Sequence, residues 1–181
     1  MTGERDEDFR VLYKDHFNRV VGYLTRLGVP RDEAPEIAQD AFMRVYESMG
    51  RIRESPAVYL YTAARNLARN KYRDDHALKR DGVSVSLDGV EPASETPSAE
   101  TVLVHREKRA RFRAAIAELP VGMRQALLLR LEEHSYKEIG TILGINMEAV
   151  KSRIHDARVR LQQRLGEEPP SGDDPGSQRD G

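Results

Sequence analysis

Residues 135–155 read SYKEIGTILGINMEAVKSRIH, and they constrain the fold more than any other part of the chain. Ser135 and Glu138 have the spacing of a capping box, in which serine and glutamate side chains satisfy N–H groups that a helix start leaves unpaired. Ile139, Ile142 and Leu143 give a short helix one apolar face. Gly144 falls where that helix must stop, because glycine takes positive φ without steric cost. Asn146 suits the cap of a second helix. That helix carries Val150, Ile154, Ala157, Leu161 and Leu165 at helical spacing. Gly140 suits a close helix crossing. A short helix, a glycine turn and a second helix make the helix-turn-helix pattern.

A helix of this kind can lie in the major groove of DNA. Its outward positions in the first turns are Met147, Glu148, Lys151, Ser152 and His155. Lys151 can reach a guanine edge or a phosphate, and Ser152 can bond to either. Arg153, Arg158, Arg160 and Arg164 continue a basic side suited to phosphates, which set affinity and register rather than sequence. The alternative is an ordinary helical hairpin with solvated cations.

The rest of the chain also has the period of helices. Ala34, Ile37, Ala38, Ala41, Phe42 and Val45 form one apolar stripe, with Asp32 placed to cap its start and Pro35 tolerated in the first turn. The opposite face carries Glu33, Glu36, Gln39, Asp40, Arg44 and Glu47. Before it, residues 9–27 read as a helix with Phe9, Leu12, Tyr13, Phe17, Val20, Val21 and Leu24 inward, ended by Gly28 and Pro30. A third helix spans residues 56–73 with Tyr59, Leu60, Ala63, Ala64 and Leu67 in its core. Residues 103–119 and about 123–133 supply two more. Val83, Val85 and Leu87 alternate briefly but lie between glycines in an acidic stretch, so they read as loop.

Charge divides the chain into blocks. The 181 residues carry a net charge of -1. Residues 48–80 carry +5 and residues 101–165 carry +6, whereas residues 81–100 carry -5 and residues 166–181 carry -4. Two basic blocks with an acidic stretch between them suit a polyanion touched at two places. The acidic stretches are rich in Gly, Ser and Pro and hold too little apolar area to offset ordering entropy. The expected architecture is all-α: two small helical domains joined by a flexible acidic linker.

Several classes fall away. No run approaches the ~18 apolar residues of a membrane span. The acidic, polar first eight residues do not read as a signal peptide. The absence of cysteine excludes disulfides, thiolate metal sites and a cysteine nucleophile. His16, His76, His105, His134 and His155 are scattered without metal spacing. There is no glycine-rich phosphate loop and no cofactor signature, so an enzyme is not expected.

The chain resembles a bacterial RNA polymerase sigma factor of the extracytoplasmic-function type, in the sigma-70 family, over roughly residues 8–165. Residues 117–124 (AELPVGMR), 127–130 (LLLR), 135–139 (SYKEI) and 149–153 (AVKSR) are similar, in order and spacing, to the family's region 4. Residues 36–40 (EIAQD) and 59–66 (YLYTAARN) are similar to its region 2. Region 3 is replaced by the acidic tether. The resemblance implies region 2 over residues 8–78, a linker over 79–101, region 4 over 102–166 and a disordered tail over 167–181.

It also implies partners and sites. Region 2 would dock on the clamp helices of core RNA polymerase through Glu36, Gln39, Asp40 and Arg44, with region 4 on the flap. The minus-ten strand would meet Arg51, Arg53, Tyr59, Arg65, Asn66, Arg69, Asn70 and Arg73. Capturing that strand requires a basic surface with stacking groups, because unpaired bases offer π faces on a charged backbone, and family position implies that the loop at residues 49–55 receives a flipped base. The minus-thirty-five element would meet Arg124, Ser135, Lys137, Met147, Glu148, Lys151, Ser152, Arg153, His155 and Arg158. An anti-sigma factor is the implied regulator of a cytoplasmic protein without cofactor. Tyr59 stands where relatives commonly have Trp and Asn70 where many have Asp, which puts the preferred bases in doubt. Tyr59 and Tyr61 are open to either stacking or burial. The alternative function is a stand-alone helix-turn-helix regulator.

Overall fold

The computed structural model describes residues 2–73 and 99–166. The tail, and the linker before residue 99, lie outside these, as do Val83, Val85 and Leu87. Among the described residues every regular element is a helix. The first lobe holds α1 (Thr2–Leu27), α2 (Ala34–Ser48) and α3 (Pro56–Arg73). The second holds α4 (Ala99–Ala117), α5 (Val121–Leu131), α6 (Tyr136–Leu143) and α7 (Met147–Leu165).

The apolar stripes become the cores. Ala34, Ile37, Ala38, Ala41, Phe42 and Val45 are all buried. They meet Val20, Leu24, Leu60, Ala63 and Ala64 from the helices on either side. Burying a large aliphatic or aromatic side chain contributes about 1.5–3 kcal/mol, so Phe42, Leu24 and Leu60 hold much of the first lobe. Aromatic rings close its outer end: Phe9 meets Phe42 edge-on with centroids 6.1 Å apart, and Tyr13 stacks on Phe17 at 4.8 Å. In the second lobe Leu128, Leu129, Ile139, Ile142 and Ile154 are fully buried.

Several expected boundaries shift. Helix α1 starts at Thr2, a turn and more before Phe9. Its added turn is fastened to α2, where the Tyr46 hydroxyl donates to Asp6 at 2.9 Å and the Arg5 guanidinium lies over the Tyr46 ring at 4.6 Å. Asp32 does not cap α2. The chain makes a turn on Pro30, whose carbonyl accepts from Glu33 and Ala34, and Glu33 becomes the flanking residue without a side-chain cap. Helix α4 starts at Ala99 rather than Leu103. Helix α5 begins directly after Pro120, whose carbonyl accepts from both Met123 and Arg124 at 3.0 Å, and it ends at Leu131.

The two lobes do not stand apart. Helix α1 packs on α4 and α5, and α3 packs on α6. Buried apolar residues of both lobes join into one cluster.

Candidate nucleic-acid interface

The helix-turn-helix forms as its residues require. Ser135 Oγ accepts from the Glu138 N–H at 3.2 Å, and Glu138 Oε2 accepts from the Ser135 N–H at 2.8 Å. Gly144 ends α6 in the left-handed region, at φ 68° and ψ 39°. Asn146 Oδ1 accepts from the Ala149 N–H at 2.8 Å and so starts α7. Gly140 is tied to this turn: a Cβ there would lie 2.9 Å from the Ile145 carbonyl oxygen and 3.8 Å from Val150. The tight contact is thus with the turn and α7 together.

Val150, Ile154, Ala157 and Leu161 are buried beneath α7. Met147, Glu148, Lys151, Ser152 and His155 are exposed on its outer side, with Lys137 exposed on α6. Some partners are local. Lys151 Nζ lies 3.3 Å from Glu148, and Ser152 Oγ donates to Asp156 at 3.5 Å. Such exposed pairs are worth little and exchange readily for a phosphate. Arg153 and Arg158 are half-buried. The Arg153 guanidinium lies across Gly122 of α5, 3.2 Å from where a Cβ would stand. Arg164 pairs with Glu118.

On the first lobe, Arg51, Arg53, Arg69 and Asn70 are exposed, and Asn66 is half-buried. Tyr61 is fully buried and is a core aromatic. Tyr59 is half-buried against the core, its hydroxyl 3.2 Å from Ser48 Oγ. The α3 end that carries Asn70 is braced on α2: Lys71 Nζ lies 2.9 Å from Glu33 and 3.5 Å from Glu36, and the Tyr72 hydroxyl donates to Glu33. The Tyr72 and Lys71 hydrogen bonds hold the Glu33 carboxyl below the usual carboxylate range. Of the proposed polymerase face, Glu36, Gln39, Asp40 and Arg44 are all exposed on α2. Met43 stands among them, 55% exposed, a large apolar side chain that the reading of this face as polar passed over. Its position three after Asp40 and four after Gln39 was the available signal.

Arg65 and Arg124 are placed differently from the other expected DNA contacts. Arg65 Nη1 donates to the Ile142 carbonyl of α6 at 3.2 Å. Burial lowers its pKa, and Arg69 and Arg153 push the same way. Arg124 is desolvated too, with its pKa lowered by burial. It donates to the Leu119 carbonyl at 3.0 Å and to the Leu27 carbonyl of the first lobe at 3.4 Å. Both arginines therefore face the seam between the lobes.

That seam centres on Glu132, which the sequence reading missed. Arg19 Nε lies 2.9 Å from Glu132 Oε2, and Arg19 Nη2 donates to the Glu132 carbonyl at 2.8 Å. Arg26 pairs with the other carboxylate oxygen, and the Tyr61 hydroxyl donates to Oε2 at 3.2 Å. The Glu132 side chain is 8% exposed. The hydrogen bond to Glu132 raises the Arg19 pKa. Burial, followed by the Glu132 charge, pushes the Tyr61 phenol well up, so it remains a donor. Nothing local in residues 131–134 (LEEH) marks the second of them as buried.

No group of carboxylates and histidines among the described residues could hold a metal, and no described helix is long and apolar enough to cross a membrane.

The helix-turn-helix and the lobe before it match known proteins in the same order. Residues 12–77 match the family described as Sigma-70 region 2, and residues 109–161 match Sigma-70, region 4. The extracytoplasmic-function (ECF) RNA polymerase sigma-E factor of Haemophilus influenzae is 30% identical, over 87% of this chain and 87% of its own. The sigma-H factor of Pseudomonas aeruginosa is 29% identical, over 87% and 86%. The fold is that of CnrH solved with the cytosolic domain of CnrY, at TM-score 0.62, 20% identity and 89% of each chain. It is also that of RpoE solved with the anti-sigma factor NepR from Bartonella quintana, at TM-score 0.65 and 22% identity, covering 90% of this chain and 99% of that one. The chain belongs to the extracytoplasmic-function RNA polymerase sigma factors of the sigma-70 family, proteins that direct transcription to promoters.

Proposed function

We propose that this sigma factor holds core RNA polymerase through α2, takes the minus-ten strand on α3 and the loop before it, and reads the minus-thirty-five element with α7. The observation that carries the last assignment is the exposed set Met147, Glu148, Lys151, Ser152 and His155. They stand over a turn whose caps and glycines fix the helix direction. Residues so mounted meet a groove without first being ordered, which lowers the cost of binding. On α2, Glu36, Gln39, Asp40 and Arg44 offer charge and hydrogen bonds around Met43, an apolar anchor within a polar rim. Arg51, Arg53, Arg69 and Asn70 provide the cations and base-edge contacts that a single strand needs.

The chain binds and positions; the chemistry of RNA synthesis belongs to the polymerase, so its place of action is the cytoplasm with that enzyme. An anti-sigma protein is part of the proposal, supported by the structural neighbour RpoE, which was solved with one. Purified chain, core polymerase and a panel of promoter fragments test the reading. Initiation that depends on both core and chain supports it. DNA binding without polymerase association would favour a stand-alone regulator, and polymerase binding without initiation an antagonist.

A further inference from the structure

Helix α4 carries a charged face that nothing above has used. Ala115 and Ile116 are buried, and Phe112, three and four residues before them, continues their stripe. Phe112 is nevertheless 39% exposed. Around it, residues 106–113 read REKRARFR, five cations and one acid. Arg106, Lys108, Arg109 and Arg111 are exposed, and Arg113 is half-buried with its Nε donating to the Arg109 carbonyl at 3.1 Å. Lys108 and Arg111 stand three residues apart and Arg109 and Arg113 four, spacings at which like charges destabilise a helix. An anion laid along this face relieves that repulsion. None of the residues assigned above to promoter or polymerase belongs to it.

The chain itself carries such an anion. Residues 167–181, outside the described ones, hold Glu167, Glu168, Asp173, Asp174 and Asp180 against one cation, Arg179. They follow α7 at a point beside the end of α4: the two helices pack together, Arg164 pairs with Glu118, and Gly166 closes α7 in the left-handed region at φ 71°. From Glu118 back to Arg106 is about 18 Å of helix. Eight extended residues, from Gly166 to Asp174, span about 26 Å. The acidic stretch before α4 enters that helix at Ala99, ahead of this face, and would have to double back to lie along it. A segment of the same chain also meets the face at a roughly millimolar effective concentration. We propose that the acidic tail docks along residues 106–113 of α4, its carboxylates on Lys108, Arg109 and Arg111, and so withholds this face from other polyanions. Pro169 and Pro170 fall within reach of Phe112, and proline rings suit an exposed aromatic.

The chain has no cysteine, so a spin label at Ser171→Cys stands alone in the full chain, and NMR reads which amide resonances it broadens. The expected result at low salt is broadening at residues 106–113. It should vanish at about 1 M salt, where the Debye length is about 3 Å. It should vanish too when the tail carries Glu167→Gln, Glu168→Gln, Asp173→Asn and Asp174→Asn. Lys108→Gln, Arg109→Gln and Arg111→Gln, all at exposed positions, should abolish it from the other side with unchanged helix content. A single-stranded oligonucleotide of mixed sequence, titrated against the same resonances, should bind roughly tenfold more tightly without the four tail acids, as expected of a face held about nine-tenths of the time. Broadening that is absent from the parent, survives either set of substitutions or centres on Lys151 of α7 would overturn the docking. So would broadening of this face from a label at Ser94→Cys but not Ser171→Cys, which would give the face to the linker. Equal oligonucleotide affinity with and without the tail acids would also overturn it, leaving the face to nucleic acid. None of these measurements needs polymerase, so their outcome and that of the sigma reading are separate.

Discussion

His134 of the second lobe and Tyr61 of the first meet edge to face across the seam, ring centroids 4.6 Å apart. His16 approaches the same tyrosine at 6.3 Å from the other side. His16 Nδ1 and His134 Nε2 are buried and find no protein partner among the described residues. Burial lowers the pKa of both, so the packed form disfavours the charged imidazolium at each.

Acid should therefore loosen the structure. His16 faces Arg19 and Asp15 on its own helix and Glu132 across the seam. His134 faces Glu138, Glu132, His16 and Arg19, and its carbonyl accepts from Arg130. Once exposed, each imidazole regains an ordinary pKa of about 6.5, so the opened or unfolded chain binds more protons than the packed one. Stability then rises with pH through that region and falls as pH drops below about 6.5. Denaturant midpoints measured from about pH 5.5 to 7.5 should show this slope. A His16→Gln, His134→Gln variant should flatten it, and an unchanged slope would assign the dependence to carboxylates.

Gly140→Ala should cost about 1–3 kcal/mol, because a methyl group 2.9 Å from the Ile145 carbonyl forces the turn to move. Urea unfolding measures the loss. The same variant should bind minus-thirty-five DNA poorly, since α7 is re-aimed. Normal stability would mean that the turn yields more easily than its contacts indicate.

Glu133→Gly should stabilise the chain by about 1 kcal/mol. Glu133 has φ 67° where a side chain is disfavoured. Its one described ion pair, with Arg19 at 3.5 Å, is largely exposed and worth little. A lower melting temperature in the glycine variant would show that this pair outweighs the backbone strain.

Lys151→Ala should weaken minus-thirty-five recognition. The cost is about 1–3 kcal/mol and specific to one base position if the ammonium group reads a base edge. It is smaller and uniform across sequences, with a shallower salt dependence, if it touches phosphate. Promoter-variant transcription at two salt concentrations separates the cases, and an unaltered promoter profile would remove Lys151 from the interface.

Much of each lobe could be read from the chain because local physics fixes it. The stripe from Ala34 to Val45 has no other way to be buried, and Ser135, Gly144 and Asn146 act on atoms within four residues of themselves. The seam was illegible for the opposite reason. Arg19 and Glu132 are 113 residues apart, and no periodicity within either helix says that the two will meet. Tyr59 and Tyr61 show the same limit at short range: both sit on α3, but only the completed packing decides that Tyr61 is enclosed and Tyr59 stays near the surface. Asp32 misled because a side chain able to cap is useful only if the backbone reaches it, and the turn on Pro30 places Glu33 there instead.

Gly140 and Gly144 set the angle between α6 and α7 without presenting any side chain to a groove. The residues that would choose a promoter and the residues that aim the reader are thus different sets. On the proposed assignment, exchanging Met147, Glu148, Ser152 or His155 would rewrite the preferred address while the frame stays as it is. A lineage can diversify its targets by surface substitutions alone, and a designer can build mutually insulated variants the same way.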